Sequence, residues 1–198
     1  MPLTPTYTST NIRGMDLPYT AEAILAYNNM DKGSTADQKI KLPGFINGGC
    51  PYHHQRGHMI GMKLGGDGGD ARNLVTLIDG TNHPFMYDFE ERVFKHVKAN
   101  PGMKFIYKVT ANYDASKYVP VPTSLTHYGS PLGAMGNPYC PFPCPESLSI
   151  EFFQINTSVM ILDVPSLSRL GDAVIIPNGI YKHHEGSAAH ISKGCFAA

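Results

Sequence analysis

From Pro84 to Lys98 apolar residues return at every fourth position: Phe85, Phe89, Val93 and Val97, with Met86 and Phe94 beside them. That period describes one face of an α-helix, so an amphipathic helix is predicted over 84–98. Pro84 suits a first turn, where its missing N–H costs nothing, and Asn100-Pro101-Gly102 stops the helix. A second, shorter helix is predicted over Thr20–Asn28, with Thr20 as N-cap and Glu22 in the first turn. Met59–Leu64, apolar apart from Lys63, predicts a short strand, and Asn73–Ile78 a half-buried segment. Further strands are expected over 103–113, 116–122, 148–155 and 158–163. The run Gly65-Gly66-Asp67-Gly68-Gly69-Asp70 holds too many glycines for helix or strand and reads as a flexible turn. It lacks the Lys-Ser/Thr and following helix that a phosphate-cradling loop needs. Residues 1–18, rich in Thr and Pro, read as an extended or loosely attached arm.

Composition narrows the partners. A chain of 198 residues, 42% hydrophobic, has material for one core. Lys+Arg and Asp+Glu are balanced at 16 each, which argues against coating nucleic acid by bulk charge. It leaves room for an enzyme that holds a phosphate locally and releases it. With 20 Gly and 16 Pro, long irregular loops around a modest sheet are expected. No apolar stretch approaches the length of a membrane span, and Met1–Gly14 lacks the basic and apolar regions of a secretory signal. Cys50, Cys140, Cys144 and Cys195 allow three two-bridge pairings, and a disulfide pair in an exported protein is the favoured reading. A zinc site with His53, His54, His183 or His184 is the alternative.

The chemistry concentrates in residues 56–90. Phosphodiester hydrolysis needs an attacking water, charge neutralisation on the phosphoryl oxygens and help for the leaving oxygen; a divalent cation supplies the last two, and a neutral imidazole takes the proton from water. His58 is the candidate base. Asn82 is the candidate metal anchor, since a hard cation accepts amide oxygen alongside water and phosphate oxygens. Glu90 falls eight residues later, placed to bring a carboxylate to the same ion or its water. Arg56 offers a planar fork for phosphate, Asn73 a second amide, and His54 and Arg92 possible substrate contacts. Each has an ordinary alternative: nine histidines are available, Asn82 could cap the helix, Asn73 could close a turn, and Glu90 could sit on a solvated face near Arg92 and Lys95. Only their joint spacing favours catalysis. His184-Glu185 lacks the second His of a metalloprotease helix, and no Gly-x-Ser-x-Gly elbow occurs.

Gln55-Arg56-Gly57-His58-Met59-Ile60-Gly61, then Leu64-Gly65-Gly66, Asn73-Leu74-Val75 and Asn82, resembles the DNA/RNA non-specific endonuclease family, which includes secreted nucleases and nucleases of DNA uptake. The clear match covers about residues 45–110. The resemblance implies an α+β fold: a ββα-metal nuclease core on a mainly antiparallel sheet with flanking helices and long loops, in a single domain over 1–198. It implies His58 as general base, Asn82 as the direct protein ligand of Mg2+ (Mn2+ may substitute), and Glu90 as the acid that orients metal-bound water. It implies supporting roles for Arg56 and Asn73. Two positions depart: Gln55 stands where the family has Asp, and Phe94 where it often has Arg. The expected activity is sequence-tolerant cleavage of DNA, with RNA as a second candidate, by an enzyme secreted or delivered into another cell as a toxin with an immunity or inhibitor protein. No membrane partner is expected. The rival expectation is a non-catalytic nucleic-acid-binding or zinc-stabilised structural module on the same fold. The segment 140–198 carries no assigned role.

Overall fold

The computed structural model describes residues 4–47, 53–117, 142–161 and 164–178. Alternating burial builds its main sheet. Strand β5 (Lys104–Asn112) buries Phe105, Tyr107, Val109 and Ala111 while the residues between them reach outward. It is flanked by β2 (Met15–Ala26) and β6 (Ser147–Ile161), with β1 (Thr6–Ile12) on the outer side of β2. Strands β7 (Val164–Arg169) and β8 (Val174–Pro177) share the far edge of β6, pairing with its second and first halves. Every pairing is antiparallel.

The second layer is a ββα unit. Strands β3 (His54–His58) and β4 (Leu74–Ile78) form an antiparallel pair in the register His54↔Ile78 to His58↔Leu74. Helix α1 (Tyr87–Ala99) follows and lays Val93 and Val97 on the main sheet. Met86, Met59, Ile60, Leu64, Val75 and Leu77 join Ala21, Ala23, Leu25, Phe105, Tyr107, Leu148 and Ile150 in one core between the layers. Full burial of a side chain of this size stabilises by roughly 1.5–3 kcal/mol, so this interface fixes where the ββα unit stands.

Several expectations change. Thr20–Asn28 is not a helix: all but its end belongs to β2, and a 3-10 turn covers Tyr27–Asn29. Ala21, Ala23 and Leu25 are buried in strict alternation, and the segment is hydrogen-bonded on both sides, to β1 and β5. Pairing and burial there outweigh the helix propensity of Ala, Glu and Leu. Residues 1–3 lie outside the described residues, and the described part of 1–18 is not a loose arm, because Thr6–Ile12 and the start of β2 form a hairpin. Its two turn residues, Arg13 (φ 53°) and Gly14 (φ 78°), both take the left-handed conformation a tight hairpin requires. The strand expected over Met59–Leu64 ends at His58, and Met62–Leu64 is a 3-10 turn. The segment Leu74–Ile78 is buried throughout rather than half-buried.

The predicted helix starts later, at Tyr87, after a widened turn over Thr81–Met86 in which His83 leaves helical geometry (φ −146°, ψ 114°). Phe85, expected on the buried face, is 49% exposed. Only one α-helix occurs among the described residues, where flanking helices were expected. Ala115–Lys117 is a 3-10 turn in place of the start of the 116–122 strand, whose remainder lies outside the described residues. The strand expected at 158–163 is the end of β6 up to Ile161. No helix among the described residues is long and apolar enough to cross a membrane.

Candidate active site

The side chains of β3 divide between two faces, and the glycine in the middle lets the ββα unit close. A Cβ on Gly57 would stand 2.3 Å from Leu77 Cδ1 and 3.0 Å from Asn82 Oδ1, so only glycine admits both neighbours here. One residue on, His58 ends the strand and lines a cleft of about 220 Å³ together with Gly61, Lys63, Asn82, His83 and Glu90. The cleft therefore gathers His58 from β3, Asn82 from the widened turn and Glu90 from α1.

His58 Nε2 lies 3.0 Å from the Ser34 carbonyl oxygen. A carbonyl can only accept, so Nε2 carries the proton and Nδ1 is left with a lone pair. Burial holds the ring's pKa below its ordinary 6.5, against opposing contributions from the Ser34 carbonyl and the Asp67 charge. A neutral imidazole with a defined tautomer is what a general base requires.

Asn82 donates from Nδ2 to Gln55 Oε1 at 2.8 Å. This bond occupies the amide nitrogen and leaves Oδ1 as the atom available to a cation. Glu90 Oε1 accepts from the Gly61 backbone N–H at 2.7 Å. Burial dominates the Glu90 carboxyl and pushes its pKa up to about 8. A Cβ on Gly61 would come within 2.1 Å of Glu90 Oε2, so glycine is again needed for the carboxyl to seat. An enclosed carboxylate with one neutral donor is poorly compensated, and a divalent cation would compensate it. An amide oxygen and a carboxylate, with no thiolate, suit a small hard ion that keeps most of its waters. Among the described residues no group of three His, Cys, Asp or Glu side chains could hold a metal, which disfavours a closed zinc cage there. The residues present fit a magnesium-like ion.

The other sequence candidates take different places. Arg56 does not line the cleft: Nε donates to Ile40 O at 3.1 Å, Nη1 to Gln38 Oε1 at 3.1 Å, and the guanidinium lies 4.2 Å over the Phe45 ring. It clamps the 38–45 loop. His54 is buried, and its Nδ1 accepts from the Ile46 N–H at 3.0 Å. Asn73 is fully buried: Oδ1 accepts from Ile60 N at 2.9 Å, and Nδ2 donates to the carbonyls of Ile60 and Asp67. That arrangement sets the path of residues 60–67 and so the position of Gly61. Arg92 is exposed on α1 beside the Phe89 ring. Lys63 bridges instead to Glu91 at 2.6 Å on the cleft rim. Cys144 is a buried free thiol whose Sγ lies 3.7 Å from Gly44 O. Cys50, Cys140, Cys195, His183 and His184 lie outside the described residues.

Sequence reasoning missed Ser34 and Asn178. Ser34 stands 24 positions from His58 with no motif around it. Asn178 accepts from Ile78 N at 2.9 Å and donates to Thr76 O at 2.9 Å and Pro145 O at 2.8 Å, closing the edge of β4 that β3 leaves open.

A family model described as DNA/RNA non-specific endonuclease matches residues 8–127. No curated protein matches the chain. Among solved structures, NucA from Streptococcus agalactiae with magnesium bound is similar with a TM-score of 0.54 and 16% identity, over 91% of this chain and 73% of that one. An extracellular endonuclease gives 0.52 and 15%, over 90% and 81%. The Sda1 nuclease with bound zinc gives 0.53 and 14%, over 88% and 74%. At these identities the structural likeness establishes the fold: a mainly antiparallel sheet carrying the ββα unit.

Proposed function

The chain belongs to the DNA/RNA non-specific endonuclease family and is an endonuclease; from that premise we propose that it cuts DNA, and RNA as a second substrate, with His58 as general base and one Mg2+ ion. The observation that carries this reading is the His58 tautomer: with Nε2 committed to Ser34 O, Nδ1 is the atom free to take a proton. Water gives up its proton to Nδ1 as its oxygen attacks phosphorus, and the 3′ oxygen leaves, so a 5′-phosphate is produced. Asn82 Oδ1 and Glu90, the latter directly or through water, would hold the ion, which supplies charge neutralisation at the phosphoryl and leaving oxygens. Glu90 accepts from Gly61 N–H on one oxygen and keeps the other for the cleft. Asn73 and Arg56 act by position, one shaping residues 60–67 and the other fixing the 38–45 loop. Magnesium is favoured by the oxygen donors and by the magnesium-bound NucA relative, with manganese as its substitute.

Plasmid degradation in magnesium, with EDTA and with His58→Ala as controls, tests this. Rapid cutting by the wild type, lost in both controls, is the expected outcome. Intact plasmid in magnesium, manganese and calcium would leave the signature as scaffold only.

A sequence-tolerant nuclease endangers its own cell, and one relative of similar fold is named as extracellular. We therefore propose that the chain acts after secretion or delivery into another cell, with an immunity protein where it is a toxin. Harmless accumulation of the active chain in a host cytoplasm, with no partner expressed, would overturn this.

A further inference from the structure

The glycine-rich run has a use that the expectation of a flexible turn missed. Residues 31–37 lie along residues 62–68 through four backbone hydrogen bonds: Asp31 N to Lys63 O, Gly33 N to Met62 O, Ser34 N to Gly66 O and Asp37 N to Gly68 O. At its glycines the two backbones approach too closely for a side chain. A Cβ on Gly33 would fall 2.4 Å from Gly66 O, and one on Gly68 would fall 2.1 Å from Thr35 O. The glycines thus form a strip on which the loop bearing Ser34 docks.

Ser34 then faces two ways. Its carbonyl accepts from His58 Nε2, while its hydroxyl donates to Asp67 Oδ1 at 3.0 Å and accepts from Gly68 N at 2.8 Å. Asp67 is itself held: its N–H donates to the Tyr7 hydroxyl at 2.9 Å, its carbonyl accepts from Asn73 Nδ2, and Oδ1 accepts from Gly69 N at 2.7 Å. On β3 itself no carboxylate backs the histidine, and Gln55 is committed to Asn82.

We propose that Asp67, acting through Ser34, is the acidic positioning partner of His58. It anchors the residue whose carbonyl selects the Nε2–H tautomer, and its charge favours the imidazolium formed when Nδ1 takes the water proton. The other charged or titratable groups around the ring, Lys63, His83, Glu90 and Glu91, stand on the cleft side. Burial lowers the His58 pKa, and the Ser34 carbonyl and, to a smaller extent, the Asp67 carboxylate oppose it. The inference rests on His58 being the base.

The test uses the full chain with magnesium and a duplex oligonucleotide, comparing wild type, Asp67→Asn, Ser34→Ala, Ser34→Thr and His58→Ala, with Asp16→Asn as a distant charge control. Asp67→Asn and Ser34→Ala are expected to lower kcat roughly 10-fold with KM little changed, and Ser34→Thr to restore it. 15N spectra of labelled histidine should show one protonated Nε2 at His58 in the wild type and mixed tautomers in Ser34→Ala. Wild-type kcat and an unmixed tautomer in both variants would overturn the proposal. Should Asp67→Asn melt early, the Ser34→Ala and Ser34→Thr pair decides alone. A His58→Ala enzyme as active as wild type would instead sink the reading of the base.

Discussion

Glu90 is where stability and function part. Its carboxyl sits enclosed under Gly61, with a pKa raised from 4.5 to about 8. Between those values the folded, metal-free protein holds a proton that the unfolded chain has lost, so its stability falls as pH rises through that window. Glu90→Gln keeps an oxygen for the Gly61 N–H and removes the buried charge. Melting of EDTA-treated protein should therefore depend less on pH in Glu90→Gln than in wild type and lie higher at about pH 8, while nuclease activity drops by roughly 100-fold or more. A variant that melts lower than wild type at that pH would refute the burial argument. His58 carries the opposite sign. Its pKa is lowered, so the neutral ring persists into more acidic solution, and the acid limb of kcat/KM should have its midpoint below 6.5. A pH-rate profile with its midpoint above that value would contradict this. Gly61→Ala should fold yet lose activity, because the added methyl meets Glu90 Oε2, the movable end of a side chain; a melt beside a plasmid assay checks both halves. Spacing made His58, Asn82 and Glu90 legible because all three lie within one local ββα unit. Ser34 was not, since it stands 24 positions from His58 and 33 from Asp67, and Asp67 is hydrogen-bonded to Ser34 and not to the histidine itself.

At the level of elements, periodicity read α1 and β5 well because each buries one regular face. It misread β2, where Ala21, Ala23 and Leu25 alternate but the intervening Glu22 and Ile24 also fit a helical pattern. The deciding information, hydrogen bonding to β1 and β5, lies elsewhere in the chain. The same holds for β4. It is buried along its whole length, and its open edge is closed by Asn178, a hundred residues on. Asn178 gives a described part of the 140–198 segment a role that no local motif announces. Truncating it strands Ile78 N–H and two carbonyls in the core, each buried unsatisfied group costing about 1–3 kcal/mol. Asn178→Ala should lower unfolding free energy by roughly 2–4 kcal/mol in denaturant titration, with activity per folded molecule largely kept at low temperature. A loss below about 0.5 kcal/mol would mean water replaces all three bonds.

Across the whole molecule the charges are balanced at 16 of each sign, and among the described residues some of them pair with one another. Lys63 and Lys95 pair with Glu91, Arg72 with Asp70, Lys98 with Asp31 and Arg169 with Glu151. Arg56 is committed to the 38–45 loop. With no net positive charge, the chain should displace few counterions of a nucleic-acid backbone, and each replaced phosphate counterion steepens the logarithmic salt dependence by about 0.9 on duplex DNA. Two or fewer such contacts give a slope of about −2 or shallower. Duplex KM measured against NaCl at saturating magnesium should show that shallow slope, with kcat nearly flat. A slope steeper than about −4 would mean an extended basic track engages the strand. A weak backbone grip would also suit the proposed chemistry: a cleft that addressed phosphate without reading base edges would gain turnover from quick release and would be sequence-tolerant, because phosphate contacts carry no sequence information directly.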